Sequence, residues 1–399
     1  MHIDVPARVT RGGTPAAAGL SVVGRLGHRY RRSRSRSRWL WGAAAVLCAA
    51  ALIAVTASAH FATPARVGTT VASLPYWSFR DGTDTVLANR QDFTEVSPFI
   101  YGLSGSGQID VQYPPGQPQV TAGISRLRAA GLRIVPTIAN MTNGRWSYPA
   151  VAHMLHTPAL MNRHIAAIVG LADRENYAGI DIDYEGLRAG DRQAFSTFVT
   201  RLAAALHAHG KILSVAVFAK TSDAGYGGQN VAQDYAAIGR AADQVKLMAY
   251  DYHWNGSPPG PIAPIGWVRS VIGYARTQIP ASRIVLGIPL YGYDWAGGHA
   301  TDLTGRQAEQ LAVQHGATVH YDVASQSPWF SYTDSSGRTH DVWFEDPQSS
   351  AAKFALVRQL GLGGMFLWMY GDEAPGTWPQ LHRSLASGAG PAASPTGRP

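Results

Sequence analysis

In the stretch AGIDIDYEGL, residues 178–187, three carboxylates stand at alternate positions, Asp181, Asp183 and Glu185, with Ile180, Ile182 and Tyr184 in the places before and between them. Alternate residues of a β-strand share a face, roughly 6.7 Å apart. The acids would therefore line one side and the apolar residues the other. Carboxylates crowded onto a buried face are unfavourable unless they are hydrogen-bonded, share protons or bind something. Each raises the proton affinity of its neighbours, which would keep Glu185 protonated near neutral pH and suit it to general acid work. A protonated glutamate with an aspartate beside it fits the cleavage of a glycosidic bond. Metal binding is the competing use, but this spacing splays the ligands along one strand, and metal sites usually gather theirs from several elements. An exposed strand edge is the plain alternative, and the flanking isoleucines and the central position in the chain argue against it.

Such a strand needs a fold that carries its end to a cleft. Short apolar runs recur at 69–77, 95–103, 132–139, 178–185, 212–219, 244–252, 283–292 and 363–370. Helical patterns lie between them, at 163–176 and 192–210 among others. Strand and helix alternating in this way predict an α/β fold, a (β/α)8 TIM barrel over residues 66–386. Glu185 comes last in its run, at the carboxyl end where barrel active sites sit. The seventh and eighth runs start about 80 residues apart, twice the usual interval. Between them, 305–316 reads as a helix and 328–346 as two strands around Ser336-Gly337. A small α+β insertion, at about 296–346, should wall one side of the cleft.

The formal charge of +8 sits at the N-terminus: residues 1–38 hold nine arginines against Asp4 alone. The balanced remainder has no charge to support a nucleic-acid groove. Residues 1–38 read as a disordered basic tail on the cytoplasmic side. The next twenty-one residues, 39–59, carry no charge, enough to cross roughly 30 Å of hydrocarbon as a helix. The arginines before them favour export of the chain beyond residue 59. Residues 39–62 are thus expected to be a transmembrane anchor, or a signal peptide cut near Ala59, where Ala57-Ser58-Ala59 is similar to a signal-peptidase site. The barrel would then face outward from the cell membrane or be secreted. The only cysteine, Cys48, falls in this apolar stretch, so the exported part has no disulfide. Residues 387–399 form a Pro/Gly/Ala/Ser tail.

Other signals are weaker. His153, His156 and His164 have no acid cluster or H-E-x-x-H context and read as helix-packing residues. His207 and His209 lie near a helix C-terminus, where positive charge is favoured. GLSGSG, 102–107, lacks dinucleotide or phosphate-loop spacing, and no G-x-S-x-G elbow occurs. Neither a metal nor a cofactor is expected.

GIDIDYE resembles the signature strand of glycoside hydrolase family 18, the chitinase family, whose pattern is Asp-x-x-Asp-x-Asp-x-Glu. Ala178 replaces the first acid, which in the family supports the strand and is not the proton donor. LMAYDY (247–252) and GMFLWMY (364–370) resemble the family's sixth and eighth strands, and the insertion after strand seven has a counterpart there. The resemblance spans residues 69 to about 380. It implies a substrate-assisted, retaining mechanism on a 2-acetamido sugar. Glu185 would protonate the leaving oxygen, Asp183 would support the intermediate, and Asp181 would hold or share a proton with Asp183. Tyr250 would bond the acetamido oxygen, Asp251 and Met248 would line the pocket, and Trp368 would form its floor. Tyr76, Trp77, Tyr252, Trp254 and Tyr291, at strand ends, would stack on sugar faces. The segments 250–264 and 341–346 look most like the branch of bacterial cell-wall and spore-cortex N-acetylglucosaminidases. The implied partner is an N-acetylglucosamine-containing polysaccharide, chitin or peptidoglycan, bound by a monomer. A lectin-like binding barrel is the alternative, and retention of Asp183 and Glu185 favours the enzyme.

Overall fold

The computed structural model describes residues 68–386, except 114–117, 143, 370 and 372. Each apolar run forms a strand in place. In chain order these are β1 (Thr69–Pro75), β2 (Glu95–Leu103), β3 (Thr137–Ala139), β4 (Gly179–Asp183), β5 (Ile212–Phe218), β6 (Gln244–Met248) and β7 (Ile284–Pro289). The insertion follows as β8 (Tyr291–Ala296), β9 (His299–Thr304), β10 (His320–Asp322), β11 (Ser327–Thr333) and β12 (Thr339–Phe344). The last barrel strand is β13 (Gly364–Trp368). Eight parallel strands close on themselves, because β1 pairs with both β13 and β2: Val71 lies opposite Phe366 on one side and Glu95 on the other. Closure requires a close approach at Gly364, where a Cβ would meet the Thr69 carbonyl oxygen at 2.1 Å.

The apolar face of β4 turns outward to the helices. Ile180, Ile182 and Tyr184 are fully buried, and Tyr184 stacks on Phe198 of α2 (Arg192–His207) with ring centroids 5.6 Å apart. His164, on α1 (Pro158–Arg174), meets the Tyr184 hydroxyl at 2.5 Å and the Gly107 carbonyl at 2.8 Å. Burial lowers its pKa to about 4, so it is a neutral packing residue. His156, His207 and His209 pair with Asp191, Asp243 and Asp173 respectively.

Inside the barrel, a small apolar cluster of Val71, Ala216, Met248, Val285 and Phe366 shares the space with buried Glu95, Ser97, Thr137, Asp181, Gln244 and Lys246. Branched aliphatics usually fill this position, and polar residues converge here from four strands rather than from β4 alone.

The insertion is larger than its sequence suggests. Five antiparallel strands lie in the order β9-β8-β12-β11-β10, with α3 (Gly305–His315) packed on Phe330, Val342 and Phe344 of one face. The sheet starts at Tyr291, not near 296. Gly297 and Gly298, both at positive φ (59° and 82°), make the two-residue turn between β8 and β9, a conformation glycine adopts freely. Strand β6 is shorter than expected, ending at Met248 instead of 252. The expected tail at 1–38, span at 39–59 and C-terminal tail at 387–399 lie outside the described residues. Among the described residues, no helix is long and apolar enough to cross a membrane.

Candidate active site

The three acids of β4 and its exit are nearly enclosed, with relative exposures of 2% for Asp181, 9% for Asp183 and 6% for Glu185. All three line one cleft together with Trp77, Phe99, Trp146, Lys246, Met248, Tyr250, Asp251 and Trp368. Trp368 ends β13, and its ring stands edge to face with Phe99 at 5.8 Å.

Glu185 follows the strand, and its main chain is held from both sides by Asn140. The Asn140 amide donates to the Glu185 carbonyl at 2.7 Å, and the Glu185 N–H donates to Asn140 Oδ1 at 2.7 Å. Asn140 is itself fully buried. Because small displacements of a reacting group are costly, Asn140→Ala should lower kcat by about 10²-fold with a much smaller change in KM. Steady-state kinetics on a soluble substrate would check this; a change confined to KM would count against the role.

The electrostatics follow from burial. Burial, then the charge of Asp181, pushes Asp183 up to about 7, against the opposing pull of Lys246. Burial, then the charges of Asp183 and Asp251, holds Glu185 well above the usual carboxyl range. Burial raises Asp251 to about 6, although the hydroxyls of Tyr291 and Tyr293 donate to its Oδ1, Tyr293 at 3.0 Å. Asp251 also has φ at 57°, a conformation uncommon outside glycine. Burial likewise keeps the Tyr250 phenol protonated as a hydrogen-bond donor. Asp181 Oδ2 accepts from Thr137 Oγ1 at 2.8 Å and pairs with Lys246 Nζ at 3.0 Å. Buried Oδ1 atoms on Asp181 and Asp183 have no partner. The arrangement can hold a proton among nearly enclosed acids and release it to whatever is bound in the cleft.

The expected site residues divide into three groups. Asp181, Asp183, Glu185, Met248, Tyr250, Asp251 and Trp368 share the cleft. Tyr291 stands behind Asp251 as its hydrogen-bond donor, and Trp254 lines an adjoining recess that shares Met248, Tyr250 and Asp251 with the cleft. Tyr76 and Tyr252 are not among the residues lining either. Tyr76 packs on the core under the helices, and its neighbour Trp77 takes the cleft position. Tyr252 lies past the turn at Asp251, 49% exposed and against Trp267. Asn140, Lys246, Thr137 and Trp146 were not anticipated. Trp146 sits on a short hairpin, Met141 opposite Trp146, for which the dipeptide Asn143-Gly144 is a readable signal. Among the described residues, no cluster of His, Cys, Asp or Glu could hold a metal ion.

Residues 102–373 match the family described as Glycosyl hydrolases family 18. The cortical fragment-lytic enzyme of Bacillus subtilis is 36% identical over 72% of this chain and 69% of its own length. Among solved structures, a chitinase from Chromobacterium violaceum superposes with a TM-score of 0.75 at 30% identity, over 80% of this chain and 99% of that one. The spore cortex-lytic enzyme SleL of Bacillus cereus gives a TM-score of 0.72 at 29% identity, over 80% of this chain and 74% of that one.

Proposed function

Since the chain belongs to glycosyl hydrolase family 18 and is a glycosidase, we propose that it is an exported enzyme cleaving β-1,4 bonds next to N-acetylglucosamine in cell-wall or chitin-like glycans. The observation that carries this reading is the run of buried acids ending at Glu185, in a cleft lined by Trp368 and Tyr250. Glu185 donates its proton to the leaving oxygen and afterwards takes one from the attacking water. Asp183 faces the substrate's own acetamido group, which serves as nucleophile, so that the reaction retains configuration. Tyr250 donates a hydrogen bond to the acetamido oxygen, and Trp368 supports the distorted ring. Peptidoglycan is the favoured polymer, given the similarity to a cortical fragment-lytic enzyme. Residues 39–59 hold the barrel outside the cell membrane, or direct its secretion if cut near Ala59.

Mass spectrometry of the products from N-acetylated chitooligosaccharides and from purified peptidoglycan tests this. New reducing ends, formed with initial retention at the anomeric carbon, are expected from at least one glycan. Binding of either glycan without cleavage would instead make the protein a lectin-like barrel. Deleting residues 1–62 should reduce activity on intact cells and leave activity on soluble oligosaccharides unchanged; equal losses on both would overturn the anchoring role.

A further inference from the structure

Alternate residues of a strand share a face, and β2 breaks that rule next to the cleft. Phe99 lies opposite Thr137, but Tyr101 lies opposite Ile138, so β2 spends two residues against one of β3. This is a β-bulge, a device that re-aims side chains beside functional sites. Phe99 faces the catalytic cleft. Tyr101, two places on, turns outward into a separate groove of about 600 Å³ on the flank of the barrel. The groove shares no lining residue with the cleft. Its walls come from α1, from the helix Pro118–Ala129 and from the short strand Ile109–Val111.

Its floor is polar. The hydroxyls of Tyr101 and Tyr177 meet at 2.9 Å, on residues only 9% and 2% exposed, and burial keeps both phenols protonated. Two O–H groups that share one hydrogen bond leave one proton unspent. Among the described residues neither hydroxyl has a second partner to take it. Two guanidiniums, of Arg128 and Arg174, stand on the walls. Arg128 is held in place by donating to the Glu175 carbonyl at 2.7 Å. Neither arginine pairs with a carboxylate among the described residues, and Glu175 is the single acid in the lining. Ile109, Ile124 and Leu171 add apolar surface beside these groups. The groove therefore joins surplus positive charge to a buried donor. A guanidinium is a fork of donors that matches a carboxylate, and a neutral sugar chain would leave it unanswered.

We propose that this groove is a second binding site, for the carboxylate-bearing peptides of peptidoglycan. It deepens the reading of peptidoglycan as the polymer and rests on that reading for its meaning at the cell wall. Chitin, which has no carboxylate, occupies the cleft alone. The bulge in β2 then serves both sites, giving a ring to one and a hydroxyl to the other.

Calorimetric titration of the detergent-solubilised full chain tests this, with Glu185→Gln present throughout to prevent turnover and excess N-acetylated chitooligosaccharide to fill the cleft. The probe is a soluble N-acetylmuramyl-peptide with free carboxylates, expected to bind once per chain. Adding Arg174→Gln should weaken it by about tenfold or more, because a charge-assisted hydrogen bond is lost. Amidating the carboxylates of the probe should weaken it by at least as much. Tyr101→Phe should also weaken it, through loss of the buried donor. Should that variant fail to fold, Arg174→Gln, whose side chain is exposed, decides the matter alone. An affinity indifferent to Arg174→Gln or to amidation would overturn the proposal, as would no binding at all. Binding of inorganic phosphate without the muramyl-peptide would make this a phosphate site and overturn it too. None of these readings needs cleavage. A parent that cleaves no glycan would sink the functional proposal and leave the groove to its own titration, and a groove that binds nothing would leave the glycosidase intact.

Discussion

Glu185→Gln should lower the rate of glycan cleavage by up to about 10⁴-fold, the upper range for general acid catalysis. The amide cannot donate the proton to the leaving oxygen or recover one from water, so both halves of the reaction suffer. Binding should survive, because the substitution keeps the shape of the side chain in a cleft formed largely by aromatic rings. Single-turnover kinetics paired with calorimetric binding to an N-acetylated oligosaccharide would separate the two. A variant that cleaves within about tenfold of the parent would remove Glu185 from the chemistry.

Stability should fall as pH rises from about 4 to about 7, contrary to the acid sensitivity common in proteins held by ionised carboxylates. Asp183 is raised from an ordinary 3.8 to about 7. Between those values the folded protein keeps a proton that the unfolded chain has released. The stabilisation is complete below the lower value and is lost as pH passes the upper one. At about 1.4 kcal/mol for each pH unit separating the two values, Asp183 alone accounts for a loss on the order of 4 kcal/mol. Asp251, raised to about 6, and Glu185, held well above the usual carboxyl range, add to it in the same direction. Urea unfolding at acidic and mildly alkaline pH would check the slope, and Asp183→Asn should make it shallower by the share that Asp183 carries. A flat profile would mean that the fold accepts these acids ionised at no cost.

The acid strand was legible because two periodicities coincide in it. Alternation gives the strand, and carboxylates on its inward face have few explanations other than chemistry. Helix and strand alternation likewise made the barrel readable. Strand ends were harder. Tyr250-Asp251-Tyr252 continues the alternation of β6, but Asp251 adopts a left-handed conformation, and Tyr252 is carried out of the cleft. Lys246 was invisible for a different reason. A lysine in an apolar run looks like a residue at a solvent edge, and only the barrel's closure sets it against Asp181. Asn140 presents the same difficulty, since an amide after a strand resembles a turn residue until its two bonds to Glu185 are seen.

The aspartate after β6 depends on tyrosines that belong to β8, outside the barrel proper. Barrel and inserted sheet are therefore not exchangeable parts. A chimaera joining this barrel to a relative's sheet would inherit Asp251 without its donors unless the graft brought hydroxyls to the same two places. Recombination within the family, natural or engineered, should tolerate crossovers that keep Asp251, Tyr291 and Tyr293 together, and reject those that part them.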